Sequence, residues 1–193
     1  MIGLDAERRA WVEAALAWCD ATDAIAMRHF RRDLQLEQKP DRTFVTVADR
    51  SIERLVRDRI ADAFPGHGVI GEEYGVEEGS GTVRWYVDPI DGTHNFLRGV
   101  PLFATLLAAS RDGELEAAVL SAPALRQRWY AWRGGGAWAT GAVGAEAPRR
   151  IEVSRVASVS EAQILYASAA GLEASGRAPG FRRLIGDAWR ERG

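Results

Sequence analysis

The stretch Trp85-Tyr86-Val87-Asp88-Pro89-Ile90-Asp91-Gly92-Thr93-His94-Asn95-Phe96 constrains the fold more than any other part of this 193-residue chain. An apolar strand runs straight into two aspartates three positions apart, then into a Gly-Thr able to open a helix. Pro89 fixes its own φ and pushes Asp88 out of the α region, so the chain has to turn. A tight turn brings Asp88 and Asp91 to one side. The N–H groups of residues 92–95, at a helix start, face the same space and favour an anion. Carboxylates suited to a cation beside amides suited to a phosphate point to metal-dependent phosphate chemistry. A strand ending in an Asp-Gly turn is the plain structural alternative.

Upstream, Val69-Ile70-Gly71-Glu72-Glu73-Tyr74-Gly75 reads as a short apolar strand ending in two glutamates. Neighbouring side chains on an extended segment point to opposite faces, so one of the pair, Glu72, is the candidate ligand and Glu73 supports it. A solvated acidic loop is the competing reading, since Glu77 and Glu78 follow. Several carboxylates converging on one site repel one another, and burying them unpaired is costly. A divalent cation removes the conflict, and all-oxygen donors suit Mg²⁺ or Mn²⁺ rather than zinc.

A third cluster reads Lys39-Pro40-Asp41-Arg42-Thr43-Phe44-Val45-Thr46-Val47-Ala48-Asp49. Lys39 is the single lysine among 25 basic residues. A compact ammonium partners phosphate or carboxylate as a point charge, a role a guanidinium does not replace like for like. Asp49 is read as the cap of the following helix, whose apolar stripe is Ile52, Leu55, Val56, Ile60 and Ala63, or as a holder of a cation's water shell.

The three clusters together resemble the inositol monophosphatase family of Mg²⁺-dependent phosphatases. The matching elements are Lys39, Asp41, Thr43, Thr46 and Asp49; then Gly71-Glu72-Glu73; then the run from Asp88 to Phe96, with His94 where the family usually has another residue. Gly99-Val100-Pro101, the segment 121–131 and Arg133-Gly134-Gly135-Gly136-Ala137-Trp138-Ala139 are most similar to the histidinol-phosphatase branch. The resemblance implies an α+β fold, a layered α-β-α-β-α sandwich with an antiparallel N-terminal sheet. It also implies in-line hydrolysis of a phosphate monoester, histidinol phosphate by preference, with inositol 1-phosphate or another small phosphorylated alcohol as alternatives. By the same resemblance Glu72, Asp88 and the carbonyl of Ile90 hold a first Mg²⁺, Asp88 and Asp91 share a second, and a complete enzyme holds two or three. Glu72, Thr93, Asp49 and Lys39 are the expected catalytic set, Gly92 and Thr93 bind phosphate through their amides, and Glu73 and Thr46 support. A homodimer is a further expectation.

The family's later W-D-x-A-A motif, whose aspartate completes the second metal site, has no match here. The sequence therefore resembles a C-terminally truncated member with an incomplete C-terminal sheet. Residues 1–140 are expected to form the N-terminal α+β metal- and phosphate-binding subdomain, and 141–193 the start of a truncated C-terminal α/β subdomain. A non-catalytic metal-binding fragment is the alternative to an enzyme.

Net charge −2 and scattered arginine pairs give no footprint for nucleic acid. No apolar run approaches the ~20 residues a membrane helix needs, and charges among the first residues spoil a signal sequence, so a soluble cytoplasmic protein is expected. One cysteine excludes an intramolecular disulfide, and Cys19 falls on the helical stripe Val12, Ala15, Leu16, Cys19, which makes it a buried thiol. Periodicity predicts helices over 5–32 and 49–63, with strands at 68–71, 83–88, 102–110, 114–120, 127–132 and 137–139. Segment 75–81 reads as loop, the 102–110 strand as covered on both faces, Asp112-Gly113 as a hairpin turn, and 151–153 as part of the second substructure.

Overall fold

The computed structural model describes residues 2–32, 36–38, 44–141 and 147–193, which fall into two compact units, Met1–Ile151 and Glu152–Gly193. The first opens with helix α1 (Ile2–His29), then strands β1 (Leu36–Gln38) and β2 (Phe44–Thr46), helix α2 (Val47–Ala63), β3 (Gly68–Gly71) and β4 (Gly75–Glu77). It continues through β5 (Val83–Asp91), the short α3 (Thr93–Leu97), β6 (Ala104–Arg111), β7 (Glu114–Ala122), β8 (Gln127–Trp132), β9 (Gly136–Thr140) and β10 (Arg149–Ile151). The architecture is α+β, as expected.

Both long helices form where apolar residues recur at helical spacing. On α1 the buried series is Trp11, Val12, Ala15, Trp18, Cys19 and Ala26; on α2 it is Ala48, Ile52, Val56 and Ile60. Ala63, expected on the α2 stripe, is exposed at the helix end. The helices lie against each other and against the sheet, α1 along β6, β7 and β8 and α2 along β5. Trp11, Trp18, Phe64, His67 and Trp85 form one aromatic cluster there, with ring centroids 5.2–6.5 Å apart in the closest pairs.

The sheet has the strand order β10-β9-β8-β7-β6-β5-β3-β4. From β5 to β10 it is an antiparallel meander, and the β6–β7 hairpin turns at Asp112-Gly113, both with positive φ. It is not antiparallel throughout: β3 pairs parallel to β5. The cause is β4, which turns back along the outer edge of β3, so the chain crosses beneath β3 and re-enters beside it in the same direction. β4 lies within the stretch read as loop, its residues all exposed and too short to show alternation. Ile151, assigned by sequence to the second substructure, pairs with Ala137 and closes this sheet instead. Within this unit α1 and α2 both pack on one face of the sheet. The other carries an open apolar trough of about 890 Å³, with Leu106, Ala108, Leu120 and Trp129 in its lining and Glu72 and Asp88 at its margin.

The second unit holds the parallel pair β11 (Gln163–Leu165) and β12 (Arg190–Arg192) with helices α4 (Ala169–Ala174) and α5 (Ala178–Asp187). Ala178 is the one buried apolar residue among those described in it, while Leu165 and Trp189 are 73% and 66% exposed. Among the described residues no helix is long and apolar enough to cross a membrane.

Candidate metal and phosphate site

Parallel pairing of β3 and β5 makes both strands end at the same edge of the sheet. Gly71, the last residue of β3, lies opposite Val87, and the amide of Glu72 donates to the Val87 carbonyl at 3.2 Å. Glu72 therefore leaves its strand next to Asp88, close enough for the two carboxyl groups to hydrogen-bond. Glu72 and Asp91 are exposed, Asp88 is half-buried and Asp49 is buried. Residues 72–74 form a turn rather than an extended segment, so the alternation used to separate Glu72 from Glu73 does not apply to them. What separates the two is their anchoring: the Glu73 amide donates to the Glu53 carboxylate at 2.6 Å, and Tyr74 donates to the same group at 3.1 Å.

The tight turn expected at Pro89 is instead a bulge within β5, which runs on to Asp91. The β5–β6 register runs from Asp88 opposite Leu106 to Asp91 opposite Ala104, so two residues of β5 bulge against one of β6. Thr105, buried, fixes the bulge by donating from Oγ1 to the Pro89 carbonyl at 2.8 Å. Thr93 Oγ1 donates to the Ile90 carbonyl at 3.0 Å, which ties the start of α3 back to the bulge. Gly92 has φ +84, and a Cβ there would meet the Leu102 carbonyl at 2.9 Å, so glycine is required where strand becomes helix. Among the described residues no side chain caps α3 at this end. Phe96, buried against Phe30 and Phe103, and Asn95, donating to the Leu102 carbonyl at 2.8 Å, hold the short helix in place.

Asp49 shares the neighbourhood but is committed locally. Thr46, not Asp49, is the N-cap of α2. The two form a capping box in which Asp49 Oδ2 accepts from the Thr46 amide at 2.8 Å and from its hydroxyl at 2.5 Å. Lys39, Asp41 and Thr43 lie outside the described residues.

The electrostatics set Asp88 apart. Burial above all, then the neighbouring charge of Glu72 and the hydrogen bond shared with it, then Asp91 and Asp49, push its carboxyl up to about 8. Burial raises Asp49 too, against the lowering effect of its Thr46 bonds. Asp88 Oδ1 is the one buried side-chain polar atom without a hydrogen-bond partner among the described residues. A buried acceptor left unsatisfied amid other carboxylates costs free energy that a bound cation would offset. The donor set is all oxygen, which fits Mg²⁺ or Mn²⁺. It is a carboxyl pair with two more within electrostatic reach; among the described residues no three acidic, histidine or cysteine side chains close into a ready cage.

The first unit is an α+β domain whose carboxyl groups gather at the shared end of a parallel strand pair, beside a glycine-led helix start, an arrangement whose donors suit a divalent cation. The family profile of the inositol monophosphatase family matches residues 7–184, and the chain belongs to that family. It is 43% identical to the histidinol-phosphatase of Mycobacterium tuberculosis over 92% of this chain and 68% of that protein. To the histidinol-phosphatase of Streptomyces coelicolor it is 44% identical, over 90% of this chain and 66% of that one. An IMPase structure from Thermotoga maritima superposes with a TM-score of 0.81 at 30% identity, covering 95% of this chain and 67% of the other. The chain thus spans about two thirds of the length of the relatives it matches.

Glu53 and Thr105 escaped the sequence reading. For Glu53 a signal existed: it falls on the apolar stripe of α2, between Ile52 and Val56, where a charge needs a reason.

Proposed function

We propose that the chain contributes the acidic half-site of a divalent-cation-dependent phosphate monoester hydrolase acting on histidinol phosphate. The observation that carries the reading is the unpartnered, buried Asp88 oxygen beside Glu72, at the bulge that precedes the uncapped start of α3. Asp88, Glu72 and the Ile90 carbonyl would hold a first Mg²⁺, and Asp88 with Asp91 a second. When bound, such ions supply an acidified water and neutralise charge on the phosphate and the leaving alkoxide.

The chain's own groups supply position and polarity. Because the Thr93 hydroxyl donates to Ile90, its lone pairs are left to accept a hydrogen bond from a water, and Glu72 across the turn accepts a second. A water held by both is aligned for in-line attack on phosphorus, with its proton directed to a carboxylate. The Gly92 and Thr93 amides at the helix start favour the phosphate oxygens and stabilise charge that grows there. Lys39 is proposed as a further phosphate partner, and Thr46 keeps Asp49 fixed. A cytoplasmic location, and a homodimer, follow in the same reading from the kinship with biosynthetic phosphatases.

Histidinol phosphate is favoured by the identity of 43–44% to two histidinol-phosphatases. Inositol 1-phosphate is the second candidate, because an inositol-1-monophosphatase of Rhizobium meliloti is 40% identical over 69% of the chain. Phosphate release with Mg²⁺ present tests the choice: kcat/KM should be higher for histidinol phosphate than for inositol 1-phosphate. A reversed preference would reassign the substrate, and no release from either would favour a non-catalytic metal-binding role.

A further inference from the structure

Beneath the turn that carries Glu72 lies a charged group with no exposure at all. Glu53 is 0% exposed, and it belongs to α2, where the sequence singles out Asp49 but gives Glu53 no role. Its Oε2 accepts from the Glu73 amide at 2.6 Å and its Oε1 from the Tyr74 amide at 3.1 Å, while Arg57, one helical turn on, donates from Nε at 2.9 Å. Arg57 in turn donates to the Gly75 carbonyl at 2.5 Å and pairs with the exposed Glu77 at 3.2 Å. Converging donors on one side chain require a group that only accepts, and a carboxylate is the side chain that meets this without a competing hydrogen. The approach is so close that a Cβ on Gly71 would stand 1.9 Å from Glu53 Oε1, so the glycine before Glu72 is demanded by the carboxylate below it.

We propose that Glu53 is a positioning residue for the acidic site: locked by Arg57, it grips the amides of residues 73 and 74 and so fixes the direction in which Glu72 faces Asp88. The turn is held from two sides. The Glu72 amide is tied to Val87 on β5, and the next two amides are tied to α2. Residue 72 is left with its backbone clamped and its side chain beside Asp88, although the turn itself is exposed at the sheet edge. Without Glu53 the amides of residues 73 and 74 lose their acceptor on α2, and the turn that directs Glu72 toward Asp88 is held less firmly. The inference rests on the reading of Glu72 as a cation ligand, and it assigns Glu53 no contact with cation or substrate.

The test uses full-chain variants and two readouts. Amide hydrogen exchange without metal reports the grip on residues 73 and 74, and calorimetric Mg²⁺ titration reports what the grip does for the ligand. Glu53→Gln should speed exchange at both amides at least ~10-fold while protection in β7 stays unchanged, and should weaken Mg²⁺ binding by about 10–100-fold, the usual effect of removing support behind a metal ligand. Glu77→Gln, which removes only the exposed partner of Arg57, should change neither. If Glu53→Gln fails to fold, Gly71→Ala makes the same point by pushing the carboxylate aside without removing its charge, and the same two losses are expected. Unchanged exchange at residues 73 and 74, or faster exchange with Mg²⁺ affinity within twofold of wild type, would overturn the proposal. A wild-type chain that binds no Mg²⁺ would instead overturn the cation reading of the site, and any role for Glu53 in ligand binding with it; the exchange result would then judge the grip alone.

Discussion

Trp85 and Asp88 sit three residues apart on the same strand, and their surroundings are built on opposite rules. Trp85, 1% exposed, faces the helices; its ring packs on Trp18 and Phe64, and its Nε1 donates to His67 Nδ1 at 3.1 Å. Every demand of that side chain is met. Asp88, on the other face, keeps a buried oxygen without a partner and a carboxyl pushed up to about 8 by burial and its acidic neighbours. A satisfied position contributes to stability, whereas an unsatisfied one that persists marks a place shaped for something else. Local rules are kept on the helix-covered face of β5 and broken where the strand ends.

Substitutions at the two positions should separate these rules. Asp88→Asn should lower turnover by at least ~10³-fold, upwards of about 4 kcal/mol in the barrier, because the residue proposed to bridge two cations loses its charge. Turnover above a tenth of wild type at saturating Mg²⁺ would remove Asp88 from that role. Trp85→Ala should act in the other currency, costing about 3–5 kcal/mol in urea unfolding by emptying the aromatic cluster. A loss below about 1 kcal/mol would show that the cluster repacks.

A smaller effect is expected from acid at the same cluster. Burial, foremost, and Arg111 lower the His67 value against the raising effect of Glu7, so the folded value lies below the ordinary 6.5. The unfolded chain then takes the proton first. The stability that neutral His67 supports is full above pH 6.5 and declines as the pH falls toward the folded value. Protonation also removes the acceptor of Trp85, a bond of about 1 kcal/mol. Tryptophan emission and urea midpoints between pH 7 and 5 should follow this course, and His67→Phe should flatten it; equal slopes in both proteins would refute the link.

The least change is expected at Cys19, buried at 0% exposure with its thiol pushed up to about 12 by burial and then by Asp23. Native chain should resist iodoacetamide at pH 8, and urea should expose the thiol. Rapid alkylation of the folded chain would contradict the placement of α1.

The legible parts of the sequence were those set by local chemistry. Gly92 announces the helix start, Asp112-Gly113 announces the hairpin, the spacing of Val12, Ala15, Leu16 and Cys19 announces α1, and Pro89 announces a break in the strand but not that it takes the form of a bulge. Pairing direction was not legible, because three exposed residues of β4 decide that β3 and β5 run parallel and end together. Local reading also misassigned the cap: Asp49 has the right chemistry, but Thr46 lies three residues nearer the turn and takes the N-cap, leaving Asp49 the reciprocal bond. The place of Glu53 on the apolar stripe of α2 was visible, but not its partners, because the amides of residues 73 and 74 are some 20 residues away and carry no side-chain signature. Of the candidate site, Glu72, Asp88 and Asp91 were readable as a group; what sets their mutual position was not.

If the acidic cluster around Asp88 is held in readiness for a divalent cation, thermal unfolding of wild type and Asp88→Asn, each with and without Mg²⁺, will show it. Without the ion, Asn in place of Asp88 relieves crowding among carboxyl groups, so the variant should melt at or above the wild-type temperature. With Mg²⁺ at many times its dissociation constant, the wild type should gain stability as any protein does from a ligand bound to its folded form, and the order should reverse. A Mg²⁺ shift of equal size in both proteins, or none in either, would show that Asp88 holds no divalent cation.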